Sequence, residues 1–508
     1  MTKLDIITLI LYLTTVLYLG LRFRSKNKTH AEFFLAGRNM GFIPIGLSVM
    51  VTSFSAINYL AFPNEVFGFG LYVIFAIPVF FIIAWPISKI WMPFFHSMQL
   101  TSAYQYLELR FNWQVRSLAS ALFILWRLIW MATALYAAGN LLAAFTSYKP
   151  STVIIIAGIV ATAYTFIGGM RAVMWTDVLQ FCVLFGSIAL GLLYASKDSS
   201  FAEIFTIAAQ HGRLKPFTPF DPSYFSLDPR IRMTFFSCII GVSVAFLSRY
   251  GSDQVIMQRY FTAKNLRAAQ KGIWLNALAS AFAISLLALF GLAIFAHAVK
   301  SGALTDINNA AIPKLAKPQF LAMIKSFPSG LTGLFASGLL AASMSSIDSG
   351  INACSAAYIT DLHPKIFKNQ TGTAILDKIL TLSLGILSTT LALTLIPLIG
   401  KTNTLFMIVN KVINGLGSPL LALFLLGMFS KRVNAPGIFI GTITGLAASM
   451  YITFAVKPLA LHYYAAVNLL ATIIPCYLFS IIASWSGYTP ATNKITQTCL
   501  FWRKNSKM

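Results

Sequence analysis

The chain has 508 residues, 57% of them hydrophobic and 10% charged, with 38 lysines and arginines against 14 acidic residues. Soluble globular proteins carry about 25% charged residues, so this composition and a mean hydropathy of +0.75 exclude a soluble globular protein and imply an all-α polytopic membrane protein. The formal charge of +24 is spread between apolar segments and forms no stripe, so membrane topology explains it and nucleic-acid binding does not.

Thirteen windows are apolar enough to span about 30 Å of hydrocarbon, at 3–22, 42–68, 71–96, 117–146, 152–170, 177–195, 233–250, 272–299, 329–360, 378–398, 403–429, 436–456 and 462–485. The first has only Lys3 ahead of it and no small-residue cleavage site after it, so it reads as a retained helix. The second carries Ser48, Thr52, Ser53, Ser55 and Asn58 at mid-depth and then Pro63, which predicts a broken helix. Lys89 lies near the end of the third and snorkels. Arg127 lies about ten residues inside the fourth, too deep to snorkel. Two readings of it stand: a clamp on a substrate carboxylate, which a guanidinium meets with two parallel bonds, or an ion pair with Asp348 or Asp177. The seventh window holds Ser237, Gly241, Ser243 and Ser248 and leads into Gly251, which predicts a second broken helix. Two interrupted segments five places apart point to an inverted-repeat transporter with its site at mid-membrane.

The ninth window contains Ala341-Ala342-Ser343-Met344-Ser345-Ser346-Ile347-Asp348-Ser349. On a helix, Ser345, Asp348 and Ser349 fall within about a 100° arc, with Ser346 at its edge. Hydroxyls, carbonyls and a carboxylate on one face suit a hard alkali cation; serines also let helices pack closely and bond back to their own carbonyls. Lys411 lies a third of the way along the eleventh window and faces an outer vestibule on this reading.

Basic residues cluster in alternate loops, at 22–38, 110–116, 171, 249–271, 365–368 and 431–432, which places the amino terminus outside and the carboxyl terminus in the cytoplasm. The expected divisions are 1–40 (first helix and basic loop), 41–195 (first repeat), 196–232 (outer loop), 233–429 (second repeat) and 430–508 (two peripheral helices and a basic tail). No soluble domain is left over for a receptor kinase or tethered enzyme. The five cysteines, at 182, 238, 354, 476 and 499, and the six histidines share no ligand spacing. Gly68-Phe69-Gly70 follows no strand and lacks a third glycine, so it is no dinucleotide fingerprint. Asn369-Gln370-Thr371 is a formal glycosylation acceptor that this topology puts inside. No nucleophile elbow or phosphate loop is present, and no enzyme activity is expected.

Several motifs resemble those of the sodium:solute symporter family: Phe34-Leu35-Ala36-Gly37-Arg38, Thr101 to Glu108 with Arg110-Phe111, Trp175-Thr176-Asp177-Val178-Leu179-Gln180, Asp253-Gln254-Val255 with Gln258-Arg259-Tyr260, and Gly417 to Phe429 with Arg432 and Asn434. The resemblance runs from about residue 33 to 437. It implies thirteen helices around a LeuT-type five-plus-five inverted repeat, as in the bacterial sodium/proline and sialic acid carriers. It also implies sodium-coupled symport of a small organic solute and a place in the bacterial inner membrane, and the protein is expected to work as a monomer.

Carried over onto this chain, the first sodium takes the carbonyls of Val51, Phe54 and Ala342 and the hydroxyls of Ser345 and Ser346. A second sodium, present in some members, takes Asp177 and Ser349 with Ser345. Asp348 stands where several members carry a small residue; it strengthens that second site, accepts a proton or answers a nearby base. The stretch Ser53-Phe54-Ser55-Ala56-Ile57, with Pro63, Glu65-Val66-Phe67 and Phe69-Gly70, is similar to the monocarboxylate, multivitamin and iodide branch. The expected solute is therefore a small carboxylate: a monocarboxylate, an amino acid or a sugar acid. Asn58, Tyr59, Phe62, Arg127, Trp130, Thr133, Tyr136 and Ser243 are expected to line its pocket. A proton-coupled carrier and a non-transporting sensor on the same fold are the alternatives.

Overall fold

A computed structural model describes residues 1–24, 29–146, 148–197, 199–215, 225–231, 234–304, 312–367, 374–399, 405–455, 460, 462–488 and 499–500. Among them there is no β-strand, only an isolated bridge between Met40 and Ala263. This is what a bilayer demands, because a helix satisfies its backbone groups within one segment.

The principal helices are α1 (Lys3–Arg22), α2 (Phe42–Ser53), α3 (Ala56–Phe69), α4 (Trp113–Phe145), α5 (Pro150–Ala195), α6 (Ser243–Ser252), α7 (Gln254–Phe261), α8 (Leu266–Lys300), α9 (Leu331–Ala357), α10 (Ala374–Ile399), α11 (Leu405–Phe429), α12 (Ala435–Ala455) and α13 (Tyr463–Trp485). Ten helices of the described residues are long and apolar enough to cross a membrane, and the bent pair α2 and α3 makes eleven. The windows 152–170 and 177–195 fall together in α5, whose 46 residues would span roughly 69 Å as one straight helix at 1.5 Å each, over twice the hydrocarbon core. Its backbone leaves the helix at Gly169 (φ 56°, ψ −159°). In α11 the described side chains begin at Gly417, so Lys411 lies outside them, as does Asn369-Gln370-Thr371.

Burial separates core from periphery. In α9 94% of the apolar window is buried, against 22% in α1 and α10. The serine-rich helix is thus the centre of the molecule, and its hydroxyls cannot be solvated by lipid or water. Asp5 anchors its start from the far end of the sequence, accepting from Gly330 N at 2.7 Å and Gly333 N at 2.9 Å.

The predicted break in the second window is present. α2 ends at Ser53, Phe54 is extended (φ −103°, ψ 125°), Ser55 caps α3, and the two halves meet at 68°. The seventh segment runs through a π-helical turn, Cys238–Val242, into α6, and its backbone breaks at Asp253 (φ −82°, ψ 118°), just past Gly251 and before α7, not among the serines at 237–248. Its Gly241 serves close packing, since a Cβ there would sit 1.9 Å from the His462 carbonyl oxygen. Lys89 is exposed in a second π turn, Ile87–Trp91.

Candidate functional site

Sites form where α9 passes the break between α2 and α3. Ser345 Oγ lies 3.4 Å from the Val51 carbonyl oxygen and 3.2 Å from that of Ala342, and Ser346 Oγ lies 3.4 Å from the same Ala342 oxygen. Phe54 N donates back to the Val51 carbonyl at 3.0 Å, which turns the end of α2 toward α9. All five residues expected at the first sodium are therefore gathered, and all are buried. The groups are carbonyls and rotatable hydroxyls, a hard oxygen set that fits a weakly held alkali cation and offers nothing to a soft metal. Among the described residues no three histidine, cysteine or acidic side chains stand together as metal ligands.

The neighbouring cluster holds a residue expected elsewhere. The basic run from Arg249 to Lys271 reads as an inner loop, yet Arg259 on α7 is fully buried and ion-paired to Asp177 of α5 at 3.0 Å. Its Nη2 also donates to Ser349 Oγ at 2.5 Å and Thr52 Oγ1 at 2.6 Å, and its Nε donates to Ser48 Oγ at 2.6 Å. Hydropathy counts an arginine as a loop signal whether or not a carboxylate awaits it, which is why the charge pair was invisible in the pattern. Asp348 Oδ2 accepts from the Tyr164 hydroxyl, and its Oδ1 accepts from the Ser349 amide and, at 3.0 Å, the Ser349 hydroxyl. The residues expected at a second cation thus lie together, and the Arg259 guanidinium lies among them. Asp177 Oδ1 and Gln180 Oε1 stay buried without a hydrogen-bond partner.

Arg127 is paired with neither Asp348 nor Asp177. Its Nη2 meets Asp253 Oδ2 at 2.5 Å, and its guanidinium lies 4.9 Å from the Trp126 ring centroid. Asp253 caps α7 through Val255 N at 2.9 Å, so a helix terminus and an arginine share one carboxylate.

A separate cleft of about 330 Å³ opens beside α3 and α4, lined by Ile57, Asn64, Glu65, Ala137, Asn140 and Lys317 among others. Volumes of about 300 Å³ and above suit small organic ligands. None of the expected solute residues lines this cleft, and Arg127 and Trp130 line a different, smaller cavity. Tyr59 is buried, its hydroxyl 3.0 Å from Ser187 Oγ and its ring against Phe335. Phe62 stacks on Phe54 at 5.6 Å across the break. Thr133 bonds back to the Ile129 carbonyl at 2.7 Å, Asn58 accepts from Ser55 Oγ at 3.3 Å, and the Tyr136 carbonyl accepts from Asn140 at 3.0 Å. Trp130 packs with Ile57 and Ala137, and Ser243 opens α6 half-buried.

The sequence motifs bond to one another. Gln254 Oε1 accepts from Ala103 N at 2.7 Å, Gln258 Nε2 donates to the Phe34 carbonyl at 2.7 Å, and Arg110 Nε donates to the Gly427 carbonyl at 3.2 Å. In sequence, the model of the Sodium:solute symporter family matches residues 33–445. The chain belongs to the sodium:solute symporter family. It is 32% identical over 427 residues to the sodium-dependent multivitamin transporter of Oryctolagus cuniculus, covering 84% of this chain and 65% of that protein, so it spans just under two thirds of that relative. It is 28% identical over 489 residues to the sodium/sialic acid symporter NanT of Aliivibrio fischeri, covering 94% and 92% of the two chains. Sodium-coupled monocarboxylate transporter 1 of Mus musculus is 29% identical over 428 residues, 84% of this chain and 68% of that one. The solved substrate-bound, outward-open structure of a Na+-coupled sialic acid symporter superposes with a TM-score of 0.85 at 24% identity, covering 97% and 99% of the chains. A closed nucleobase-cation-symport-1 family transporter superposes at 0.53 with 14% identity over 91% and 97%. These two likenesses show the fold.

Proposed function

We propose that this protein drives uptake of a small organic solute with the sodium gradient by alternating access, without enzymatic chemistry and as a monomer. The carrying observation is the contact between Ser345 and Val51. It joins α9 to the break in α2, so one ion touching Val51, Phe54, Ala342, Ser345 and Ser346 holds the broken helix against the central one. The solute enters the cleft along α3 and α4, whose walls move with that break. If sodium favours the solute-competent arrangement by about 1 to 3 kcal/mol, solute favours sodium binding by the same amount.

Thirteen crossings follow when α5 is counted as two spans about Gly169 and α11 as one. On that reading α2 to α5 with segment 71–96, and the seventh segment through α11, form the two repeats, the amino terminus lies outside, and the membrane is a bacterial inner membrane. The relatives are named for a vitamin, a monocarboxylate and a sialic acid, which supports a carboxylate solute. A second sodium at Asp177, Asp348 and Ser349 would sit beside the Arg259 guanidinium that already neutralises Asp177 through Oδ2, so the ion pair favours one sodium per cycle. Asp348 is fully buried and, unlike Asp177, forms no ion pair among the described residues, which supports a second reading, in which Asp348 carries a proton.

Uptake into proteoliposomes under an imposed sodium gradient tests the proposal. Ser345→Ala and Ser346→Ala are each expected to raise the sodium concentration for half-maximal uptake at least tenfold; unchanged sodium dependence in both overturns the site. Ions moved per solute, measured at reversal potential in wild type and Asp348→Asn, separate one sodium from sodium plus proton.

A further inference from the structure

A second cavity lies between α4, α6 and α7, lined by Thr52, Trp126, Arg127, Trp130, Arg249 and Asp253. Its unsatisfied atoms are all donors: Trp126 Nε1, Trp130 Nε1 and Arg127 Nε are buried with no hydrogen-bond partner, in residues no more than 6% exposed. Burying an N–H without an acceptor is unfavourable, and native structures leave few such groups. The charge is unbalanced in the same direction. Two guanidiniums, Arg127 and Arg249, line the cavity with one carboxylate, Asp253, and both oxygens of that carboxylate are engaged, by Arg127 Nη2 and by Val255 N. Arg249 spends Nη1 on the Ser53 carbonyl at 3.0 Å. A water molecule accepts only two hydrogen bonds and leaves the surplus positive charge as it was. An acceptor-only group with negative charge meets both demands.

We propose that this cavity is an anion site that takes one monovalent anionic group, held by Trp126, Arg127, Trp130 and Arg249. Its free volume of about 10 Å³ is small, which limits it to one compact group, a halide or the oxygen end of a carboxylate, and excludes a whole solute of drug size. The site touches the break in α2 at two points, since Arg249 holds Ser53, the last residue of α2, and Thr52 lines the cavity while also binding Arg259. An anion that draws Arg249 inward loosens its hold on Ser53, two residues from Val51. This deepens the carboxylate reading above, but the geometry here stands without sodium coupling.

The test is a melting-temperature titration of the purified full-length protein at fixed sodium and ionic strength, with sulfate as the background anion and acetate or bromide added. A saturable rise in melting temperature is expected with at least one of them. Saturation by acetate alone assigns the site to the carboxylate of the solute, and saturation by bromide assigns it to a free halide. Arg249→Gln is expected to weaken binding at least tenfold. Trp126→Phe and Trp130→Phe, which remove one donor each and leave the charge unchanged, are expected to weaken it about threefold and keep the test open if Arg249→Gln does not fold. No saturable response to either anion, or equal affinity in all variants, overturns the site. Anion binding without sodium-driven uptake counts against the proposed function alone, and sodium-driven uptake without anion binding counts against this site alone.

Discussion

Arg259 is the residue on which the polar centre depends. It donates to Ser48, Thr52, Ser349, the Val255 carbonyl and Asp177, bringing α2, α5, α7 and α9 to one point. Removing one partner of a buried ion pair leaves an uncompensated charge, at a cost of about 3 to 5 kcal/mol, whereas removing both costs far less. Arg259→Gln is therefore expected to lower the melting temperature sharply and Asp177→Asn/Arg259→Gln to regain most of the loss. Equal melting of the single and double variants would show that the pair carries no coupling energy. Ser345 and Ser346 act differently: they have no charge to strand, so their alanine variants are expected to fold normally and to need at least tenfold more sodium.

At the scale of elements, the break in α2 is useful only if α2 itself is held, and glycines hold it. A Cβ at Gly46 would meet the Gly272 carbonyl oxygen at 2.7 Å, and one at Gly272 would meet Ile45 Cγ2 at 2.7 Å, so α2 and α8 cross almost backbone to backbone. Gly186 in α5 has no atom within 4 Å of its would-be Cβ. Opposite signs follow. Gly46→Ala is expected to cost about 1 to 3 kcal/mol by overpacking and to weaken sodium binding, because Val51 lies on the same short helix. Gly186→Ala is expected to gain roughly 0.5 to 1 kcal/mol from helix propensity alone. Melting curves of the two variants in one detergent compare them directly, and a common sign would refute the packing explanation.

For the whole molecule, sodium should be a ligand of the folded state. An ion at 100 times its Kd adds about 2.7 kcal/mol to stability. Replacing potassium by sodium at constant ionic strength is expected to raise the melting temperature of the wild type and to leave Ser345→Ala unmoved. An almost fully buried α9 lies at the axis of the molecule, with α1 and α10 facing outward.

The amino-acid sequence by itself determined the membrane class, the break in the second segment and the placing of Ser345, Asp348 and Ser349 on one helical face. These follow from local rules: hydropathy per residue, a polar run before Pro63, and 100° per residue of helix. The tertiary structure alone decided the pairings. Asp253 and Arg259 stand in motifs that are plain in the sequence, but nothing local says that the first answers Arg127 and the second Asp177, across 126 and 82 residues. Arg249 likewise read as part of a basic loop and proved to line a cavity. Charge partners are chosen by which helices touch, and that contact depends on long-range packing, which no window of sequence contains.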